Sequence, residues 1–302
     1  MSSYALGVDV GATKVAIATI GDDFKVRQKL EVSTRCGDGS MLWKNIADAA
    51  IEFISSEKDE LRGIGVASAG PLDIIKGTLS PVNIPVWRDF PIIQCFETIS
   101  KGMPVVLHGD AMALAHAEHK LGAGQGFRNM LGMVVSTGVG GGLILDDKVF
   151  TGDSGNAFFL GHASVNLDGP ICACGRRGCV ETYASGPRMV THAQSKGWVS
   201  NDASFISLVE DAKNGNSIAL ASIEEGTRAL AVGIVNVLGS LDISHVVIGG
   251  GVTESGAIFW DPLRRHVEDQ ASYIGFLPKI NLHKAALVRD AGVLGAALAI
   301  LG

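Results

Sequence analysis

The chain has 302 residues, of which 47% are hydrophobic and 19% charged, with a formal net charge of -6. This is a soluble globular composition, long enough for one large domain or two ordinary ones with a sizeable core. The acidic balance argues against nucleic acid as the main partner, because a phosphate backbone needs a basic face. No apolar run approaches the ~18 residues of a membrane helix.

The N-terminal "MSSYALGVDVGATK" lacks the basic and long apolar regions of a signal peptide. Five cysteines, three of them clustered, do not resemble a secreted disulfide framework. A cytoplasmic protein without membrane contact is expected. Residues 4–20 are apolar and β-branched around a Gly-Ala-Thr turn, which predicts a β-hairpin. A helix follows in "MLWKNIADAAIEFISSE", then strands in "LRGIGVASAG" and "MPVVLHGD", then a helix in "AMALAHAEHKLGAG" closed by glycine.

Residues 131–150, "LGMVVSTGVGGGLILDDKVF", repeat the plan of residues 6–26, "LGVDVGATKVAIATIGDDFKV". Each passes from an apolar strand through small residues into a second apolar strand that ends in Asp-Asp, which suggests an internal duplication; shared glycine and valine content is the alternative. Residues 185–240 read as mostly helical, broken at "NGNS". "ISHVVIGGGVTESG" reads as a buried strand entering a glycine turn, "PKINLHKAAL" as a late strand and "RDAGVLGAALAI" as the last helix. Strands and helices alternate throughout, so the fold class is α/β.

Three glycine turns follow apolar strands: "DVGATK", "STGVGGG" and "IGGGVTESG". Closely spaced backbone N–H groups make an anion-binding nest. Gly11, Gly138, Gly140, Gly250 and Gly251 would supply it, with hydroxyls from Thr13 and Thr137 and a charge from Lys14. A tight turn alone explains any one loop, and none is a Walker A or dinucleotide motif. Two hairpins in duplicated positions plus a third turn favour a nucleotide cleft.

Phosphoryl transfer needs positioned phosphates, a metal and a group that accepts the hydroxyl proton. Asp110 is the candidate base, because it stands where the strand "PVVLHG" meets the helix "AMALAHAEH", at the end of a strand where α/β ligands gather. It could equally be a helix cap. Asp9 lies mid-strand beside a glycine turn, where a carboxylate is costly without a ligand, metal or backbone donor.

Cys172, Cys174 and Cys179 are spaced C-x-C and C-x4-C, and His162 precedes them by ten residues. One histidine and three cysteines make a closed tetrahedral set, the pattern of structural zinc; a buried or redox cysteine cluster is the alternative. With four protein ligands no position is open for chemistry. The zinc would stiffen a loop that delivers Glu181 two residues after its last ligand.

Together, "DVGATK", "STGVGGG", Gly161-His162, "CACGRRGC" with Val180-Glu181, "YASG" at 183–186 and "IGGG" at 248–251 resemble the ROK family of sugar kinases and repressors across the whole chain. The resemblance implies a duplicated two-domain actin-like ATPase (ribonuclease H-like) fold with a nucleotide/sugar cleft. It implies ATP with Mg2+, transfer of the γ-phosphoryl group to a sugar hydroxyl, Asp110 as base, and a homodimer. It also implies that Gly70, Asn83, Asp110, His162 and Glu181 lie near the sugar, with His162 serving zinc and sugar through different ring nitrogens. Residues 1–112 are expected to form a small N-terminal domain on which a last helix, 290–302, packs back. Residues 113–289 would form a larger domain carrying the zinc loop, 162–181. The first hairpin starts by residue 6, leaving no room for the helix-turn-helix of ROK repressors, which argues against a DNA-binding regulator.

Two positions depart from the family pattern. Gly109 stands where an asparagine usually precedes the catalytic aspartate, and Phe159 stands where a glutamate usually lies three residues before the histidine. Both replaced groups are sugar ligands in the family, so hydrogen bonds are lost and an apolar phenyl face takes their place. The reading is an ATP-dependent sugar kinase acting on the 6-hydroxyl of a hexose or N-acylhexosamine, N-acetylmannosamine before glucose. The alternatives are a non-catalytic sugar-binding sensor of the same fold, and an actin-like ATPase with a protein partner. ATP is the expected donor, though some members of the family use polyphosphate.

Overall fold

The computed structural model describes residues 2–81, 84–287 and 289–302. In chain order the elements are β1 (Ser3–Val10), β2 (Lys14–Gly21), β3 (Val26–Ser33), α1 (Gly39–Ser56), β4 (Glu60–Ser68), β5 (Leu72–Asp73) and β6 (Thr78–Leu79). Then come α2 (Ile92–Glu97), β7 (Val105–Gly109), α3 (Asp110–Leu121), β8 (Met130–Val135), β9 (Val139–Leu145), β10 (Lys148–Phe150), α4 (Glu181–Ala184), α5 (Gly186–Ser195) and α6 (Phe205–Lys213). The chain closes with α7 (Ser217–Leu241), β11 (His245–Gly249), α8 (Ala257–Ser272), β12 (Asn281–Lys284) and α9 (Ala291–Leu301). No helix among the described residues is long and apolar enough to cross a membrane.

The chain divides into two compact units: residues 1–125, 148–157 and 287–302, and residues 126–147 and 158–286. Each has its own core. The first unit is built on a sheet of order β3-β2-β1-β4-β7. β1 and β2 pair antiparallel as a hairpin, while β1, β4 and β7 run parallel. Tyr4, Leu6, Val8, Ile17, Ile64 and Val66 from this sheet are buried against Leu42, Ile46, Ala50 and Phe53 of α1. α1 starts at a proper cap, the Asp38 carboxylate accepting the Ser40 N–H at 2.9 Å. The other face of the sheet is covered by α9, which packs on β1 and β4 and against α3. Ala67, Ala113 and Ala296 meet where β4, α3 and α9 converge. The approach is close enough to require glycine: a Cβ on Gly65 would overlap the Ala296 carbonyl, and one on Gly7 the Val293 carbonyl.

The first unit extends to residue 125, beyond the boundary at 112 expected from the sequence, because α3 packs on α9 rather than with the helices that follow. In the second unit a β8–β9 hairpin is again followed by two parallel strands, β11 beside β8 and β12 beside β11. The order β9-β8-β11-β12 reproduces β2-β1-β4-β7 of the first unit. The two hairpins that look alike in sequence therefore occupy equivalent places in two equivalent sheets.

Ile234, Leu238, Leu208, Met189 and Phe259 fill the core of the second unit against Met133, Val135, Val246 and Ile248. α7 begins where the Asn216 side chain accepts the N–H groups of Ile218 and Ala219, and ends at Asp242 in a left-handed conformation with φ 52°. The helical region is broken twice, at residues 196–204 as well as around 214–216. The helix α8, unforeseen because its segment is polar and carries Pro262 internally, packs along α7.

Candidate active site and metal centre

In the first unit the parallel pairing places the carboxyl ends of β1, β4 and β7 on one edge. Asp9 stands opposite Ala67, and Ser68 opposite Gly109. That edge gathers Asp9, the loop entered at Ala69–Gly70, and Gly109–Asp110. Asp110 is the first residue of α3, with Gly109 at the cap position making no side-chain bond. Its Oδ1 accepts the N–H of Ala111 at 2.7 Å, the cap-like contact. Asp110 is thus a helix-start carboxylate at a strand's end, one position inside the cap rather than the cap itself. Burial raises its carboxyl above the usual range, although the Ala111 hydrogen bond opposes this.

Asp9 is lifted further, to about 7, by burial and then by the charge of Asp110, with Lys29 and Lys14 pulling it down. Its carboxylate is crowded by the start of α9, where a Cβ on Gly292 would overlap it. The β1–β2 turn is closed by a 3.0 Å bond from the Gly11 N–H to the Lys14 carbonyl, and Thr13 and Lys14 are exposed at it. Lys14 is paired at 2.5 Å with Glu31, so its ammonium already has a counterion. Asn83 lies outside the described residues.

In the second unit the β8–β9 turn bears Thr137, exposed, and Gly138, tightened by a 2.9 Å bond from the Ser136 N–H to the Gly138 carbonyl. Gly140 lies within β9 opposite Val134 rather than in the turn itself. Because β8 and β11 are parallel neighbours, the turn at Gly250–Gly251 lies beside the first. A Cβ on Gly251 would stand 3.6 Å from the Ser136 hydroxyl. Gly250 has φ 97° and a Cβ there would overlap the Val135 carbonyl, so only glycine fits. Ser136, not singled out in the sequence, is thereby part of the same constellation.

Glu181 begins α4, and its Oε2 accepts the Val139 N–H at 2.9 Å. The end of the cysteine loop is thus tied to the β8–β9 hairpin. The loop itself is a compact knuckle. The Cys172 N–H bonds the Arg176 carbonyl at 2.8 Å and the Gly175 N–H the Cys172 carbonyl at 2.9 Å. Gly175 and Gly178 take φ of 88° and 62°.

The ligand atoms of His162, Cys172, Cys174 and Cys179 all lie within 4.8 Å of one another. Cys172 Sγ is 3.5 Å from His162 Nδ1, and Cys174 Sγ is 3.7 Å from Cys179 Sγ. Thiolates at ~2.3 Å from a tetrahedral zinc stand ~3.8 Å apart, and a thiolate and an imidazole nitrogen slightly less. The donor set and its spacing therefore fit zinc. Burial and the neighbouring sulfurs push the Cys179 thiol up to about 12; a thiolate there needs a cation beside it.

The expected site residues fall in two groups. Asp9, Gly70 and Asp110 share the strand-end edge of the first unit. Thr137, Gly138, Gly250, Gly251, Glu181 and the metal set belong to the second. A match to the ROK family runs over residues 5–301.

The chain belongs to the ROK family.

An N-acetylmannosamine kinase of Yersinia pestis is 33% identical to this ROK chain over 297 residues, 97% of each protein. A ROK hexokinase from Thermus thermophilus superposes with a TM-score of 0.88 at 32% identity, covering 99% of this chain and 98% of that one. A ROK family glucokinase from Streptomyces griseus, solved with glucose and AMPPNP, superposes with a TM-score of 0.82 at 30% identity, covering 98% and 99%. The ROK fold is the α/β actin-like ATPase fold with two domains, and the two equivalent sheets found here are that duplication.

Proposed function

We propose that this ROK chain transfers the γ-phosphoryl group of ATP to the 6-hydroxyl of a hexose or N-acylhexosamine, N-acetylmannosamine first and glucose next. The coarser statement, a phosphotransferase of the sugar-kinase class, rests on family membership together with kinase relatives at 30% identity or more over nearly the whole chain. The observation that carries the finer reading is Asp110, a carboxylate at the start of α3 whose burial raises its proton affinity. A base in this position accepts the hydroxyl proton as the sugar oxygen bonds to the γ-phosphorus and the bond to the β-phosphate oxygen breaks, releasing ADP. The turns at Thr137–Gly138 and Gly250–Gly251 in the second unit, and separately Ala12–Thr13 in the first, present backbone N–H groups suited to phosphate oxygens.

Magnesium arriving with ATP would be held by Asp9 and would offset charge on the phosphates. Zinc on His162, Cys172, Cys174 and Cys179 would hold the loop that orients Glu181. His162 turns Nδ1 toward Cys172, which leaves Nε2 as the nitrogen for a sugar hydroxyl. N-acetylmannosamine is placed first because Phe159 offers an apolar face where the family pattern has a glutamate; the relatives do not rank the two sugars, since a glucokinase of Halalkalibacterium halodurans is also 33% identical over 97% of this chain.

The test is ADP release with magnesium-ATP over glucose, mannose, fructose, N-acetylglucosamine, N-acetylmannosamine and no sugar. N-acetylmannosamine is expected to be fastest. Asp110→Asn is expected to lower kcat by about 10²–10⁴-fold while sugar binding stays measurable. Undiminished turnover in that variant removes Asp110 as the base. Silence across the panel, with binding intact, favours a sugar-binding protein.

A further inference from the structure

His245 is the first residue of β11, and His283 the third of β12. The two strands run parallel, with His245 opposite Asn281 and Val247 opposite His283. Side chains alternate across a strand, so Asn281 and His283 share the face on which His245 lies, and the two histidines are diagonal neighbours. Phe127, which precedes β8, packs on the pair. Its ring stacks on the His245 imidazole with 3.8 Å between centroids and 10° between planes, and lies 5.0 Å and 40° from His283. The His245 ring is thus held flat against a neighbour, and both imidazoles hang from hydrogen-bonded strands. Both histidines are half-buried, so neither is sealed from solvent.

His245 Nδ1 stands 3.4 Å from His283 Nε2. That is long for a hydrogen bond between two ring nitrogens. It equals the separation of two imidazole nitrogens on one tetrahedral ion: bonds of ~2.1 Å at the tetrahedral angle put the nitrogens ~3.4 Å apart. A square-planar ion with bonds of ~2.0 Å would need them ~2.8 Å apart. Each ring can carry its proton on the other nitrogen, which leaves both facing nitrogens with a lone pair.

We propose that His245 Nδ1 and His283 Nε2 form a second metal site, for a divalent transition cation that accepts tetrahedral imidazole ligands, zinc above all. Two protein ligands leave two positions to water, so the site is weaker than the His162–cysteine set and fills only when the ion is supplied. β12 is the edge strand of its sheet and pairs over four residues. An ion shared by His245 and His283 ties that edge to β11, the strand that runs on into the Gly250–Gly251 turn. The proposal is independent of which sugar the protein phosphorylates.

The experiment titrates the full-length protein with Co2+, whose visible spectrum reports its ligands whatever the cysteines already hold. The wild type is expected to show the d–d bands of a tetrahedral ion without thiolate charge transfer, saturating at one such ion per chain and reversed by zinc. His245→Asn and His283→Gln are each expected to weaken this binding by about tenfold or more, because a lost ligand costs at least as much as a lost outer partner. Any thiolate band should be unchanged in both. No nitrogen-type spectrum from the wild type at millimolar Co2+ overturns the inference, and so does the same spectrum at the same affinity in both variants. Should the variants fail to fold, imidazole 15N NMR of the wild type during zinc titration decides it. Shifts at His245 Nδ1 and His283 Nε2 together uphold the site. A pair that keeps its shifts while other histidines respond, or while none does, is a plain histidine–histidine contact and overturns it.

Discussion

Replacing Asp9 by asparagine should stabilise the protein while impairing its work, and the gain should grow with pH. The folded chain holds the Asp9 carboxyl at about 7, against an ordinary 3.8, mainly through burial and secondarily through Asp110. A folded pKa above the unfolded one means that folding favours the protonated form. The stability is therefore complete below pH ~3.8 and is lost progressively as pH rises to about 7. At about 1.4 kcal/mol per pH unit, the whole loss has a ceiling of about 4 kcal/mol. Asp9 keeps some accessible surface, so water screens part of it, and about 2–3 kcal/mol is expected.

Asparagine has a similar shape and no charge, so its stability carries no such pH term. Between pH 5.5 and 8.5 the advantage of Asp9→Asn over wild type should grow by about 1–2 kcal/mol, since only part of the Asp9 term is lost by pH 5.5. The assay is chemical denaturation of both proteins at the two pH values without nucleotide, alongside ADP release with the preferred sugar. The variant should be more stable at pH 8.5 and slower as a kinase. An advantage that is the same at both pH values, or a variant less stable than wild type at pH 8.5, refutes the claim that Asp9 is held against its preferred ionisation.

The cysteine knuckle should hold one zinc per chain. Elemental analysis of freshly purified protein should find it, and Cys174→Ser should lose it together with thermal stability; protein purified without zinc contradicts the assignment. Gly65→Ala should lower stability by about 1–3 kcal/mol or more, because the new methyl meets the Ala296 carbonyl and α9 cannot seat on β4. An unchanged melting temperature in that variant would mean that α9 yields at no cost.

Elements whose signal is local were legible in the chain itself. The hairpins at 4–20 and 131–145 show as β-branched runs around small residues, and β1–β2 and β8–β9 form there. The metal set was legible for the same reason, since Cys172, Cys174 and Cys179 fall within eight residues and His162 just upstream. Elements were missed where the local signal is weak or misleading. β3 is mostly exposed and carries Arg27, Lys29 and Glu31, so it lacks an apolar face. Pro262 within a polar segment reads as a breaker, yet α8 runs through it. The ion pair of Lys14 was not legible, because Glu31, its partner across the β2–β3 strands, lies 17 positions away.

By itself, the sequence determined what depends on neighbours in the chain: the paired hairpins, the cysteine spacing that a tetrahedral ion demands, and the aspartate at the strand–helix junction. The tertiary structure alone decided what depends on summed surroundings. Asp9 became a weak acid because folding buries it, with the start of α9 against its carboxylate, and brings the charge of Asp110 near; Gly292 is 283 positions away in the chain. Phe158 holds a left-handed backbone, φ 73°, with its side chain packed against the core of the second unit. Burial and the left-handed turn are properties of residues brought together by folding, and no window along the chain contains them.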